Sequence, residues 1–193
     1  MDRSIVLAVV LVSCGTFGSA CTKSHTVDWS AKEDFFIEEK TEKTADGARL
    51  EFHSLVDAPA DAVYKALADV ENYATFVDGV QETKLLSSQG NTKLIGIAQT
   101  VIGQQTRAEV KWTFDPGKRT IAFETITSDG NYNDGSYQVL PSPDGKRSYV
   151  ISVFYVKAKG RQFIPIGVLE SATRDSFEKA AHSVKRRAVG EAS

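Results

Sequence analysis

Histidines are the side chains best suited to acid–base or metal chemistry near neutral pH, and this chain has three of them. His25, His53 and His182 lie far apart in the sequence, and none has a second histidine or a carboxylate at the spacing of a metal site. His53 alternates with Phe52 in a strand-like run, which predicts that His53 faces solvent. We therefore expect each histidine to be solvated or locally hydrogen-bonded, and we predict no metal site.

Motifs for nucleophilic catalysis and for phosphate binding are also missing from the sequence. Ser136 follows Gly135, but the Gly-x-Ser-x-Gly pattern that exposes a nucleophilic serine is not there. The glycines at 96, 103 and 130 are scattered among strand-like runs instead of forming a phosphate-binding loop. The sequence therefore predicts no catalytic residue and no cofactor.

The two cysteines, Cys14 and Cys21, belong to an N-terminal segment with the layout of a secretory signal peptide. Its apolar run, 5–12, is far shorter than the roughly 20 residues that cross a bilayer as a helix. Leu11-Val12-Ser13-Cys14 resembles the bacterial lipobox, whose cysteine is lipidated and becomes the first mature residue. Cleavage after Ala20 is the alternative, and it would leave Cys21 first, so acylation at Cys14 or at Cys21 is expected.

This interpretation divides the chain into a signal peptide over 1–20, a polar tether over 21–34 and a folded domain over 35–190. Trp29 interrupts the tether and is predicted to dock on the domain, because so large an apolar surface usually finds cover. A lipidated cysteine predicts a protein of the cell envelope, on the periplasmic side and anchored to the membrane. Glycine rather than aspartate follows Cys14, which favours the outer membrane where two membranes exist.

The composition is that of an ordinary globular protein, with 41% hydrophobic and 25% charged residues. The formal net charge of −2 gives no support to nucleic-acid binding through bulk positive charge. No repeat is evident. We expect a monomer that does not bind nucleic acid.

Turn-forming residues recur about every ten positions in the body of the chain, which predicts a mainly antiparallel sheet. Asp46-Gly47 separates the strand-like runs 35–41 and 49–56 and predicts a hairpin. Alternate residues of Arg107–Phe114 are apolar, which indicates a strand with one covered face. The run 148–156 is apolar on both faces and predicts a central strand.

Helical spacing of apolar residues predicts a short helix over Ala60–Leu67, a second over Val70–Phe76 and a long one from Ile166 to Ala188. Pro165 suits the first turn of the long helix. The order of elements predicts an α+β fold in which a curved antiparallel sheet wraps around the long C-terminal helix. One helix does not fill the concave side of a wide bent sheet, so an apolar cavity is expected between them.

The order of these pieces resembles the START-like (SRPBCC, helix-grip) superfamily. More narrowly, it resembles the polyketide cyclase/dehydrase and lipid-transport proteins and the coenzyme-Q-binding START-like group. The pieces that carry the resemblance are Val56–Tyr64, Leu67–Tyr73, Phe76–Val80, Gly135–Pro141, Tyr149–Tyr155 and Ile164-Pro165. The resemblance covers 35–188, although Tyr137 stands where many members carry tryptophan. It implies a helix-grip fold that encloses a cavity for a hydrophobic or amphipathic ligand, as in relatives that bind lipids, sterols, quinones or polyketides.

Apolar and aromatic side chains from several elements are the candidates for lining that cavity. The candidate ligand-binding residues are Phe76, Val80, Trp112, Phe123, Tyr137, Phe154, Ile166, Leu169 and Thr173. Tyr137, Thr173 and Arg174 are the candidates for a polar anchor. Plain core packing is the alternative for each apolar residue taken singly.

Three functions fit these features. The first is envelope-anchored binding or transport of a lipid, quinone or similar hydrophobic ligand by a non-catalytic protein. The alternative is a polyketide cyclase/dehydratase-like enzyme in the same cavity, which would need a general acid or base within reach of its substrate. The third is an envelope module whose sheet binds another protein while side chains fill its cavity.

Overall fold

The computed structural model describes residues 27–32, 34–101, 104–157 and 166–190. The predicted signal peptide over 1–20, with Cys14, lies outside the described residues, and so do Cys21 and His25. Ile166 and Leu169 belong to a described helix, but their side chains lie outside the part of the structure that is described.

Within the described residues, eight strands form a single antiparallel sheet, and the last of them lies inside it between the second and the seventh. The strands are β1 (Asp34–Lys43), β2 (Gly47–Val56), β3 (Val80–Gln89), β4 (Thr92–Val101), β5 (Gln104–Asp115), β6 (Thr120–Ser128), β7 (Tyr132–Pro141) and β8 (Ser148–Lys157). Their spatial order is β1-β2-β8-β7-β6-β5-β4-β3. The central position predicted for 148–156 is confirmed, because β8 pairs with β2 on one side and with β7 on the other.

The helices lie close to their predicted positions. They are α1 (Ala60–Ala68), α2 (Tyr73–Phe76) and α3 (Ile166–Val189), with a 3₁₀ turn at Val70–Asn72 in front of α2. The second predicted helix is therefore split into a 3₁₀ turn and a single α-helical turn. Among the residues that the structure describes, no helix combines the length and the apolar character needed to span a membrane.

Aromatic stacking fixes α3 against the inner face of the sheet. The ring of Phe177 on α3 lies parallel to that of Phe52 on β2, with 4.6 Å between centroids. Phe154 on β8 contacts both rings, at 5.9 Å from Phe52 and 5.6 Å from Phe177. Because each aromatic side chain buries on the order of 150–250 Å², this trio is a main attachment of the helix to the sheet.

At Gly135, the backbone of β7 lies close to the β8 backbone and to the Phe123 ring of β6. A Cβ atom at this position would lie 2.7 Å from the ring of Phe123 and would collide with the backbone carbonyl oxygen of Val153 on β8. Only glycine leaves room for the Phe123 ring on the inner face at this point. Gly135 therefore allows the aromatic residues of β6, β7 and β8 to pack together.

His53 corrects one prediction, because it is fully buried instead of facing solvent. It does lie on the opposite face of β2 from Phe52, as the alternation predicted, but that outer face is covered. Its Nδ1 lies 2.8 Å from the Tyr149 hydroxyl and 3.0 Å from Glu38 Oε2, and its Nε2 lies 2.7 Å from Glu51 Oε1. The expectation of local hydrogen bonding is confirmed. Alternation predicts the face that a strand residue occupies, but other segments determine whether that face is exposed.

The segment 27–32 is part of that cover, and the predicted docking of Trp29 is confirmed. The Trp29 ring packs edge-on against Tyr149 with 6.4 Å between centroids. The Arg147 guanidinium donates hydrogen bonds to the backbone carbonyls of Trp29, at 2.5 Å, and of Ala31, at 2.7 Å. The end of the predicted tether is thereby fixed on the outer face of the sheet.

Glu51 carries a charge within this covered region. Burial acts to raise the pKa of its carboxyl group, but hydrogen bonds from Arg49 and His53 outweigh burial and hold the pKa below its ordinary value. The Glu51 side chain is 13% exposed. The carboxylate is therefore stabilised by its partners in the folded protein.

Candidate ligand-binding cavity

A cavity lies between the inner face of the sheet and the three helices. Its volume is about 50 Å³. One water molecule needs roughly 10–15 Å³ of such volume. The cavity as it stands therefore holds a few waters or a slender aliphatic chain, and a fused-ring ligand would have to displace side chains.

Apart from Lys185, the side chains that α1 and α3 contribute to the cavity wall are apolar, and two of them are alanines. Val63 and Leu67 of α1 face it, together with Ala180, Ala181 and Val184 of α3. Two consecutive alanines on the covered side of α3 leave room that larger apolar residues would fill. The hollow therefore results from the small side chains of α3, while Phe177 holds the helix at its distance from the sheet.

The sheet wall combines apolar side chains with hydroxyl groups. Val150 of β8 lines the cavity beside Ser152, and Ser54 of β2 and Tyr137 of β7 also face it. Tyr137 and Ser152 are directly opposite each other in the antiparallel register of β7 and β8. Ser152 is fully buried, and its Oγ has no hydrogen-bond partner in the structure. Burial raises the pKa of the Tyr137 hydroxyl, which therefore stays protonated and can donate a hydrogen bond.

Tyr73 of α2 also lines the cavity, but its hydroxyl already has a structural role. It donates a 2.5 Å hydrogen bond to the backbone carbonyl of Leu67 near the end of α1. Burial raises the pKa of Tyr73 well above its ordinary value. This bond joins α1 to α2 along one side of the cavity.

Ion pairs hold the end of α3 beside the cavity. Arg186 lies 3.3 Å from the Asp78 carboxylate, and Arg187 lies 2.9 Å from that of Asp69. The backbone N–H of Asp78 donates to Ser183 Oγ at 3.2 Å. Exposed ion pairs of this kind are worth up to about 1 kcal/mol each, so they position the helix end more than they stabilise the fold.

The described polar groups around the cavity are hydroxyls and one lysine. Among the described residues that line it there is neither a carboxylate nor a histidine, and the charged group is that of Lys185. His182 is exposed on α3, and His53 lies on the other face of the sheet. Within the described ranges, no group of three His, Cys, Asp or Glu residues is arranged to hold a metal ion.

Most of the predicted aromatic residues form a packed layer beside the cavity, and Tyr137 stands at the border between the two. Trp112 lies 5.1 Å from Phe123, which lies 5.4 Å from Tyr137, measured between ring centroids. Phe154 contacts Phe123 and Tyr137 at 5.9 Å each. Of this set, Tyr137 lines the cavity, and the bulk of the others fills the adjoining space.

The other predicted site residues lie in different surroundings. Phe76 is buried against Tyr73 at 5.5 Å, with the Arg187 guanidinium 5.3 Å from its ring. Val80 begins β3 and packs at the edge of the core. Thr173 is partly buried on α3.

Sequence reasoning missed the residues that give the cavity its character. They are Ser54 and Ser152 on the sheet and Ala180 and Ala181 on α3. The sequence did carry a signal for them. A serine at an inward position of an otherwise apolar strand, and an alanine pair on the covered side of a helix, both indicate a place where packing is incomplete.

A comparison with known families agrees with this architecture. The family described as polyketide cyclase / dehydrase and lipid transport matches residues 56–185 of the chain. This range begins at the last residue of β2 and ends within α3, so it includes α1, α2, β7, β8 and most of α3 but not Ser54 of β2. No curated protein sequence matches the chain significantly.

Solved structures share the fold at low sequence identity. The Zhui aromatase/cyclase from Streptomyces sp. R1128 is 21% identical, with a TM-score of 0.64 over 73% of this chain and 93% of that one. A START superfamily protein from Mycobacterium smegmatis is 13% identical, with a TM-score of 0.66 over 74% and 97% of the two chains. A STAR-related lipid transfer protein from Xanthomonas axonopodis is 13% identical, with a TM-score of 0.61 over 78% and 98%. The predicted helix-grip fold is therefore confirmed.

Proposed function

The chain belongs to the polyketide cyclase / dehydrase and lipid transport family, and on that premise we propose that it binds a lipid, quinone or similar hydrophobic molecule and holds or carries it in the cell envelope. The observation that carries this proposal is the apolar cavity between the sheet and α3, with its small helical side chains. Pockets for such ligands are mostly apolar and contain a few polar groups that set orientation. The cavity has this composition.

Binding without catalysis is favoured by the chemistry of the lining. A cyclase or dehydratase needs a group that takes up a proton from its substrate and a group that supplies one. Tyr137 stays protonated and is suited to donating, and the described lining residues include no carboxylate or histidine. Lys185 is the described lining residue that could take up a proton, so the enzymatic alternative would need Tyr137 and Lys185 to reach the same substrate.

The location in the envelope is supported by the N-terminal sequence. A single acyl chain binds membranes marginally, whereas two or more anchor a protein stably. A lipidated cysteine of the lipobox type would carry at least two. The docked segment 27–32 contacts the outer face of the sheet through Trp29, and the ligand cavity lies on the inner face.

The bound molecule can be identified directly. We expect native mass spectrometry of the full chain, purified from its own envelope, to show an added mass that organic extraction releases as a lipid or quinone. Ala180→Phe would fill the cavity and abolish the added mass, whereas Ala172→Phe, on the same helix but outside the cavity lining, would keep it. Repeated preparations of the wild type without any bound molecule would contradict the proposal.

The anchor is tested separately, by membrane fractionation. Cys14→Ser is expected to release the protein from the membrane fraction, and Cys21→Ser to leave it there. The opposite result would assign the modification to Cys21, and retention of both variants would argue against a lipid anchor.

A further inference from the structure

We propose that Tyr137 and Ser152 form a polar subsite that receives a neutral carbonyl or hydroxyl group at the buried end of a slender aliphatic ligand. This inference rests on the proposed function, because it assigns a chemical class to the molecule in the same cavity. The two side chains are cross-strand partners in β7 and β8 and both line the cavity.

The buried hydroxyl of Ser152 is the strongest indication of a missing polar group. Ser152 is 0% exposed, and its Oγ has no hydrogen-bond partner in the structure. Leaving a buried hydroxyl unpaired costs free energy, and native proteins pair almost all such groups. A ligand atom in the cavity would supply the pairing that the protein does not.

Tyr137 adds a donor to the same wall of the cavity. Directly opposed residues of an antiparallel pair carry their Cβ atoms roughly 4.5–5.5 Å apart on the same face of the sheet. Burial keeps the Tyr137 hydroxyl protonated, so it offers an O–H at every physiological pH. A carbonyl oxygen can accept from both hydroxyls, and an alcohol can donate to one and accept from the other.

The charge distribution around the pair favours a neutral group. Lys185 is the charged residue of the described lining, and it follows Phe177 by eight positions on α3, about 12 Å along the helix axis. Phe177 stacks on Phe52, which is the β2 partner of Ser152, so Lys185 lies toward the other end of the cavity. A carboxylate at the pair would be buried without a cation beside it, which is strongly unfavourable.

The narrow free volume sets the shape of the ligand. The cavity volume is about 50 Å³, and apolar side chains surround most of it. An unbranched alkyl chain fits such a space with little rearrangement. The ligand class that the site fits is therefore a straight-chain ketone, aldehyde or alcohol, or a lipid that presents such a group at one end.

Three probes of similar chain length test the assignment with the full chain. They are 2-octanone, octanoate and 2-methyl-1-octene, in which a methylene group replaces the carbonyl oxygen of 2-octanone. Affinities are measured by equilibrium dialysis and gas chromatography. We expect the wild type to bind the ketone about 3- to 10-fold more tightly than the alkene, and more tightly than octanoate.

Variants locate the effect on the two hydroxyls. Ser152→Ala and Tyr137→Phe are each expected to weaken ketone binding about 3- to 10-fold and to leave alkene binding unchanged. Ser148→Ala is the matched control, because Ser148 is also fully buried on β8 with an unpaired Oγ but does not line the cavity. It should leave both affinities unchanged. Circular dichroism and thermal unfolding show that each variant is folded.

The outcomes separate the two proposals. Equal wild-type affinity for ketone and alkene, or ketone affinities within twofold of wild type in both Ser152→Ala and Tyr137→Phe, would overturn the subsite and leave hydrophobic binding standing. Tighter binding of octanoate than of 2-octanone would overturn the assignment of a neutral group. Failure of the wild type to bind any of the probes would overturn the subsite and count against the proposed function as well.

Discussion

Replacing Ala181 with leucine is the most direct test of whether the space beneath α3 is empty. Ala181 lines the cavity and is partly buried against the core. Leucine adds three carbon atoms, and burying a CH₂ group contributes about 0.8 kcal/mol, so complete burial would add roughly 2 kcal/mol. Leucine has a slightly lower helix propensity than alanine, which reduces the expected gain in the free energy of unfolding to about 1–2 kcal/mol.

Urea denaturation followed by circular dichroism measures this gain, with the denaturant dependence expected to stay unchanged. In a protein of this size, each kcal/mol corresponds to about 2–4 °C in Tm, so Ala181→Leu should unfold about 2–8 °C higher. Ala172→Leu makes the same chemical change on α3 outside the cavity lining and should alter stability by less than about 0.5 kcal/mol. Ala181→Leu should also lose ligand binding.

A loss of about 1 kcal/mol or more in Ala181→Leu would refute this reasoning, because it would show that the added atoms meet a filled interior. Unchanged stability together with unchanged ligand binding would also refute it, since the leucine side chain would then lie outside the cavity. Higher stability with unchanged binding would place the ligand elsewhere in the molecule.

Three further predictions concern positions outside the cavity. The folded-state pKa of Glu51 lies below the ordinary value of 4.5, so its contribution to stability is present above that pH and is lost as the pH falls through the folded-state value. Urea titrations at pH 7 and pH 4 should show Glu51→Gln about 1–3 kcal/mol less stable at pH 7 and closer to wild type at pH 4. Gly135→Ala should lower stability by more than about 4 kcal/mol, because its Cβ would collide with Phe123 and the β8 backbone, and near-wild-type thermal unfolding would contradict this. Trp29→Ala should remove about 1–2 kcal/mol and raise amide hydrogen exchange in 27–32, and unchanged exchange there would show that the contact with Tyr149 does not hold the segment.

Several features of this protein were determined by local sequence. The period-two pattern of 107–114, the two-sided apolar run of 148–156 and the Asp46-Gly47 turn predicted strands that the structure contains. Helix positions followed from apolar spacing in the same way. These features depend on interactions between residues that are near in the chain, so a single sequence contains the information. These patterns predicted an α+β fold with a curved sheet around the long helix, and the resemblance to the START-like superfamily implied the helix-grip fold.

The character of the cavity was decided by tertiary structure. Tyr137 and Ser152 face each other because of the register between β7 and β8, and Ser152 reaches the cavity beneath two alanines that belong to a helix more than 20 residues further along the chain. His53 lies on the predicted face of β2 but is buried, because Tyr149 and the segment that carries Trp29 cover that face. Alternation along a strand determines which face of the sheet each side chain occupies. The distance from that side chain to side chains on other elements depends on how the whole sheet curves and on which segment covers it. The sequence by itself therefore determined the strands and helices of this protein and their order. Only the packing of elements that are distant in the chain determined which side chains line the cavity.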